Sequence, residues 1–485
     1  MDNKEKLENR ERIKNAKWRQ RFHIEPPDGW LNDPNGLSFY KGEYHVYFQY
    51  SPIAADGHTP RGWGHYHGSD LMHMTYDRAV MMPDIPEDSH GVYSGSAIEN
   101  DGVLHIFYTG NVKMIGDYDY VKAGRGANVI HVTTTDGSNI SEKQVLLRNS
   151  DYPDFCSCHV RDPKVWKEGD IWKMVLGART LDDEGCVLVY ESDDLINWKY
   201  TGKVYKEGYG YMWECPDYFE IDGKGFLSTC PQGMPHYETK WQNLNESGYF
   251  PVQGKLEDSV LGDFTEWDMG FDFYAPQTFL DPQGRRILIG WLGMDNKVYG
   301  NATTELGWQH CLTIPRVVTV APNGKLRQQP IAEFDELKSN ARRQSSGQTA
   351  EYPLPFELDG EPADSFSISL DGKLELSFDK EKQLFSMRFT DEKYGCGRTT
   401  RNAEIDSVRN IRVIADMSSI EVYINDGETV MSTRIYPDND SVKLKVNGFE
   451  AQVWISERGS CNGKHTFCHR RSTDRFYPST DRLCF

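Results

Sequence analysis

Apolar and polar residues alternate in short bursts along the first two thirds of the chain, and the bursts come in pairs joined by a glycine turn. Leu37-Ser38-Phe39-Tyr40 passes through Gly42 into Tyr44-His45-Val46-Tyr47-Phe48. The same plan recurs around Gly102, Gly169, Gly223 and Gly284, each time with an alternating second half such as Ile171-Trp172-Lys173-Met174-Val175. Period-2 alternation on both sides of a tight turn is the hairpin signature. The units return roughly every 60 residues, the length of a four-stranded blade with generous loops. A second echo, in Ser69-Asp70-Leu71, Ser192-Asp193-Asp194-Leu195 and Gly262-Asp263-Phe264, supports the count. Five units predict a five-bladed β-propeller over residues 21–335, with unrelated hairpins in a β-sandwich as the rival.

The pattern changes after Pro330. Residues 331–338 read as a short helix and residues 336–350 as a polar linker. Alternating segments follow, among them Ser365-Phe366-Ser367-Ile368 and Ile420-Glu421-Val422-Tyr423, with a hairpin turn at Asn425-Asp426-Gly427. No helical stretch interrupts them, so residues 351–458 predict a β-sandwich. The fold class is all-β, a five-bladed propeller followed by a sandwich. Residues 1–20 are charged and read as a solvated amphipathic helix, and residues 459–485 as an irregular basic tail.

Composition narrows the class. The chain has 485 residues, 38% hydrophobic and 12% aromatic, enough for two or three packed domains. A net charge of −19 argues against nucleic acid or an anionic membrane as partner. No run of about twenty apolar residues appears, and residues 1–20 lack an apolar signal core, so a cytoplasmic location is expected. The ten cysteines form no regular framework, and Cys156-Ser157-Cys158 is too tightly spaced for a zinc knuckle. They read as reduced thiols. Homo-oligomerisation is left open.

Candidate chemistry sits at the starts of the repeats. Asp33 lies in Trp30-Leu31-Asn32-Asp33-Pro34-Asn35-Gly36, a carboxylate beside an amide and an aromatic surface, the parts that sugar-cleaving sites use. An Asp-Pro-Asn-Gly turn without chemistry is the alternative. The residues before the aligned prolines are Asp33, Asp162, Cys215 and Ala275, with Glu214 just before Cys215. In a propeller the innermost strands line one channel, so equivalent strand starts converge on one mouth. Strand residues alternate faces, so Glu214 points inward only if its strand runs a residue out of phase. Retaining glycosidases need two carboxylates about 5–5.5 Å apart, and a third can hold sugar hydroxyls.

These strings, in this order, resemble glycoside hydrolase family 32, the β-fructofuranosidases. The resemblance spans about residues 20–456 and includes Tyr47-Phe48-Gln49, Trp63-Gly64-His65, Tyr93-Ser94-Gly95-Ser96, Arg161-Asp162-Pro163, Glu214-Cys215-Pro216 and Ile287-Leu288-Ile289-Gly290-Trp291. It implies Asp33 as nucleophile, Glu214 as acid/base and Asp162 as transition-state stabiliser, with Asn32, Gln49, Ser94, Arg161 and Trp291 lining a fructose pocket. Two departures stand out. Val160 replaces the Phe that often precedes Arg-Asp-Pro, and Asp56-Gly57-His58 stands where many members carry Trp-Gly. Trp63 is expected to replace that Trp in part.

Glu214 is expected to carry a raised pKa, because neighbouring carboxylates disfavour its ionisation. No metal or organic cofactor is implied. His65 and His67 read as structural rather than metal ligands, and Asp438-Asn439-Asp440 as a turn. The expected partner is a small-molecule fructoside, entered end-on. A fructosyltransferase or a non-catalytic sugar-binding propeller are the rivals. The acidic composition gives no general help to a phosphorylated sugar. A preference for one needs local Lys or Arg that the sequence does not locate.

Overall fold

A computed structural model of the chain describes residues 3–295 and 298–456. Five antiparallel sheets of four or five strands make the propeller. Their innermost strands are Gly29–Tyr40, Val92–Asn100, Cys156–Glu168, Met212–Ile221 and Tyr274–Leu280. Each pairs through a glycine turn with the strand that follows it. Gly29 and Trp30 also pair in parallel with Trp308 and Gln309. The Trp308–Gln309 segment lies between the second and third strands of the fifth blade, so backbone hydrogen bonds join that blade to the first and close the ring.

Blades pack face to face, which is why their middle strands, such as Glu43–Ser51, Ile171–Thr180 and Gly185–Ser192, carry near-continuous runs of buried residues instead of a clean alternation. The sandwich shows the other regime. Leu374–Asp379 and Ser441–Asn447 bury every second residue, as expected of sheets with one solvated face. Its two six-stranded sheets enclose Leu358, Ile368, Leu376, Phe385, Val422 and Leu444. Each such side chain contributes about 1.5–3 kcal/mol on burial.

Three boundaries need correction or comment. The polar linker expected at 336–350 is largely sheet: Lys338–Gln344 pairs with Ala451–Ser456, and another strand starts at Thr349. Its exposed side chains mark it as a sheet edge, and a solvated edge strand is polar by necessity. The N-terminal helix, Asn3–Lys14, is solvated on most of its surface, but Ile13 is buried and Arg10 pairs with Asp28. The basic tail at 459–485 lies outside the described residues.

The two domains meet through buried charge. Arg316 of the fifth blade donates to Glu421 of the sandwich at 2.7 Å and to Asp268 at 3.3 Å, all three fully buried. Arg398 of the sandwich makes a two-pronged pair with Asp272 at 2.6 and 2.7 Å. His23 lies between Asp416 and Glu421 at 2.8 and 3.0 Å. The Asn425-Asp426-Gly427 turn seats on the propeller. Gly427 has φ 79°, and a Cβ there would sit 1.6 Å from the Gln328 carbonyl oxygen. Only glycine permits that approach.

Candidate active site

All five innermost strands break register at the same place. Leu31 pairs with Tyr50 and Pro34 with Phe48, so Asn32 and Asp33 together oppose Gln49. The same two-against-one step falls at Tyr93-Ser94, Asp162-Pro163, Cys215-Pro216 and Ala275-Pro276. A bulge re-aims side chains and twists the strand. Here it answers the phase question that alternation raised, because residues on both sides of each step reach one channel. Asp162, Cys215 and Ala275 take left-handed backbone, with φ 65°, 47° and 47°. This reverses the extended bias expected before proline, and it is conformational strain held at the site.

The channel mouth is a cavity of about 240 Å³ whose lining includes Asn32, Asp33, Ser94, Arg161, Asp162 and Glu214. Asp33 is fixed by its neighbours. Ser94 Oγ donates to its Oδ2, and Asn32 Nδ2 donates to its Oδ1 at 3.0 Å. Asn32 also donates to Gln49 Oε1 at 2.7 Å, and Gln49 donates to Ser94 at 3.0 Å. Burial raises the Asp33 pKa against these hydrogen bonds. Asp162 accepts from the Cys215 backbone N–H at 2.9 Å. Burial pushes it up to about 7, against the Arg161 charge and with help from Glu214 and Asp33. The Cys215 sulfur lies 3.8 Å from Asp33 Oδ2 and 3.7 Å from Asp162 Oδ2, so one thiol separates two carboxylates.

Glu214 departs from expectation. Burial raises its pKa, but the Arg161 charge and hydrogen bonds from Tyr274, Arg161 and Gln232 outweigh this, and the net direction is down. Arg161 Nε and Nη2 both donate to Oε1, at 3.0 and 2.7 Å. Gln232 Nε2 and Tyr274 Oη donate to Oε2, each at 2.6 Å. The repulsion from neighbouring carboxylates is real, but in this cluster it raises the two aspartates.

The walls are partly as expected. Trp291 lines the pit beside Trp30, with ring centroids 6.1 Å apart. Trp63 does not reach it. Its side chain is fully buried between Tyr47 and Tyr108, and its Nε1 donates to the Tyr93 carbonyl. Trp63 pairs with Gln49 across the strands and so backs the pocket instead of facing sugar. The place expected for a Trp is taken by Asp56, with Gly57 against Trp30. A Cβ on Gly57 would lie 2.9 Å from the indole.

Tyr274 and Gln232 were not foreseen as site residues. Tyr274 precedes its bulge as Glu214 and Arg161 precede theirs, a signal already present in the aligned prolines. His65 and His67 stack with His45 in the first blade. Among the described residues no cluster of His, Cys, Asp and Glu is arranged to hold a metal, and no helix is long and apolar enough to cross a membrane.

Comparison with known proteins bears on family and fold. The profile described as Glycosyl hydrolases family 32 N-terminal domain matches residues 23–330, and that of the family 32 C terminal matches 323–457. A sucrose-6-phosphate hydrolase of Bacillus subtilis is 37% identical over 457 residues, covering 89% of this chain and 92% of that protein. A raffinose invertase of Escherichia coli is 34% identical over 447 residues, covering 88% and 92%. Among solved structures, a sucrose-6-phosphate hydrolase from Lactobacillus gasseri superposes with TM-score 0.86 at 25% identity, covering 94% of this chain and 97% of that one. A Bombyx mori family 32 β-fructofuranosidase gives 0.79 at 28%, covering 94% and 99%. With both domains matched end to end, the chain belongs to glycoside hydrolase family 32, as a retaining β-fructofuranosidase.

Proposed function

We propose that Asp33 is the nucleophile, Glu214 the acid/base and Asp162 the transition-state stabiliser in releasing a terminal fructosyl unit from a sucrose-type fructoside, sucrose or its 6-phosphate among them. The observation that carries this reading is the meeting of three carboxylates from three blades in one pit, two of them on either side of the Cys215 sulfur. Asp33, locked by Ser94 and Asn32, attacks the anomeric C2 in a fixed orientation. Glu214 donates a proton to the leaving oxygen, then takes one from the water that cleaves the fructosyl–Asp33 ester. Asp162 accepts hydrogen bonds from ring hydroxyls that strengthen as positive charge develops.

Burial pushes Asp162 up to about 7, against Arg161 and with help from Glu214 and Asp33. Glu214, gripped by Arg161, holds its proton less tightly.

Glu214→Ala tests the acid/base role. Activated fructosides with good leaving groups should recover the first step, which then needs little protonation, and azide should recover the second. If neither changes the rate, Glu214 is not the acid/base.

A further inference from the structure

Three arginines line the pit, and among the described residues only Arg161 is paired with a carboxylate. Arg161 spends its fork on Glu214, and its Nη1 donates to His159 Nδ1 at 2.9 Å. His159 Nε2 stands 3.0 Å from the Tyr120 carbonyl. A carbonyl only accepts, so the ring proton is on Nε2, and Nδ1 is left free to accept from Arg161. That tautomer gives Arg125 nothing to donate to, although its Nη1 lies 3.5 Å from the same Nε2. Arg125 is anchored by Nε to Asn111 Oδ1 at 3.0 Å and lies 6.0 Å from the Tyr93 ring centre. Its Nη groups have no acceptor among the described residues. Arg61 lies 5.8 Å from the Trp30 ring centre and has no ion pair with any described residue. The Arg61 carbonyl accepts from Val92 N–H, next to Tyr93, so the two arginines flank one wall.

Burial and the nearby Arg161 charge depress Arg125 below the usual arginine range, against the attraction of Glu214 and Asp162. The rest of the pit is hostile to anions, with three carboxylates at its floor and a chain charge of −19 overall. Two half-buried guanidiniums lining such a pit, with no carboxylate ion pair among the described residues, suit an acceptor brought by a ligand. Guanidinium forks match phosphate geometry.

We propose that Arg61 and Arg125 form an aglycone subsite that takes a phosphomonoester carried by the leaving sugar. The proposal rests on the fructosidase reading above, which puts the leaving sugar at the rim.

The test compares kcat/KM of the full chain on sucrose and on sucrose 6-phosphate, for wild type, Arg61→Gln, Arg125→Gln and the double variant. Wild type should favour the 6-phosphate at least about tenfold, and each single variant should lower that ratio by about tenfold or more, chiefly through KM for the phosphorylated sugar. An unchanged ratio, or equal losses on both sugars, overturns the subsite. A wild type that cleaves neither sugar would instead sink the fructosidase reading. Calorimetry on wild type then decides the subsite, and does so too if a variant fails to fold. Glucose 6-phosphate should bind at least about tenfold tighter than glucose and than inorganic phosphate. Inorganic phosphate binding as tightly as glucose 6-phosphate would make this a free-anion site and contradict the proposal.

Discussion

Arg161 grips Glu214 through two nitrogens on one oxygen, at 3.0 and 2.7 Å, and so favours the carboxylate form of the proposed acid/base. A general acid must nonetheless be protonated when substrate arrives. The proton affinity of the site therefore belongs to the cluster of Asp33, Asp162 and Glu214 and not to Glu214 alone.

The pH profile follows. The highest member, Asp162, is pushed up to about 7, so the last proton is present below that value and lost above it. The basic limb of kcat/KM should fall near pH 7. Asp162→Asn should move that limb downward, because one repelling carboxylate is gone. A wild-type limb already complete near pH 5 would show that the depressed Glu214 governs by itself.

Asp162→Asn should also lower kcat by about 10²–10³-fold with KM little changed, since its hydrogen bonds count mainly in the transition state. Steady-state kinetics on sucrose check this. An unchanged kcat with a raised KM would make Asp162 a binding group only.

The domain interface carries its own prediction. Arg316→Leu leaves Asp268 buried without its cation and Glu421 with His23 alone, at a cost of about 3–5 kcal/mol. His23, held by Asp416 and Glu421, is raised to about 9 despite burial. Its stabilising contribution is complete below about pH 6.5 and is lost as pH rises through 9. Glu421 is lowered to about 2, burial being outweighed by Arg316 and His23, so its contribution holds above about 4.5 and fades towards 2. Denaturant midpoints should plateau between about pH 4.5 and 6.5 and decline on both sides, and His23→Gln should flatten the alkaline decline. An Arg316→Leu loss near 0.5 kcal/mol, the scale of a surface change, would contradict this account of the interface.

Much of this was legible in the chain. Alternation and glycine turns gave the five hairpins, and Asn425-Asp426-Gly427 gave its turn. The Asp70 and Asp194 echoes mark turns in which each aspartate accepts from two following backbone N–H groups. The limits were physical. A bulge is a count of residues across two strands, and no composition reports it. Lining up prolines therefore set Asp33 against Asp162, where the ladder sets Asn32 against Asp162. Trp63 carried the right residue type on the wrong face. Arg61 and Arg125 belong to no motif. They line the same pit only because neighbouring blades bring their strands together. The sign of the Glu214 shift depended on Arg161, whose fork direction a sequence does not hold.

The account stands most directly on the covalent step at Asp33. Glu214→Ala mixed with an activated fructoside and quenched within its first turnover should accumulate the fructosyl ester, because the base for its hydrolysis is missing. Mass spectrometry of the digest should place the fructosyl group on Asp33, and Asp33→Ala should be inactive yet folded. An adduct on another carboxylate, or product released with inverted configuration and no adduct, would contradict the mechanism.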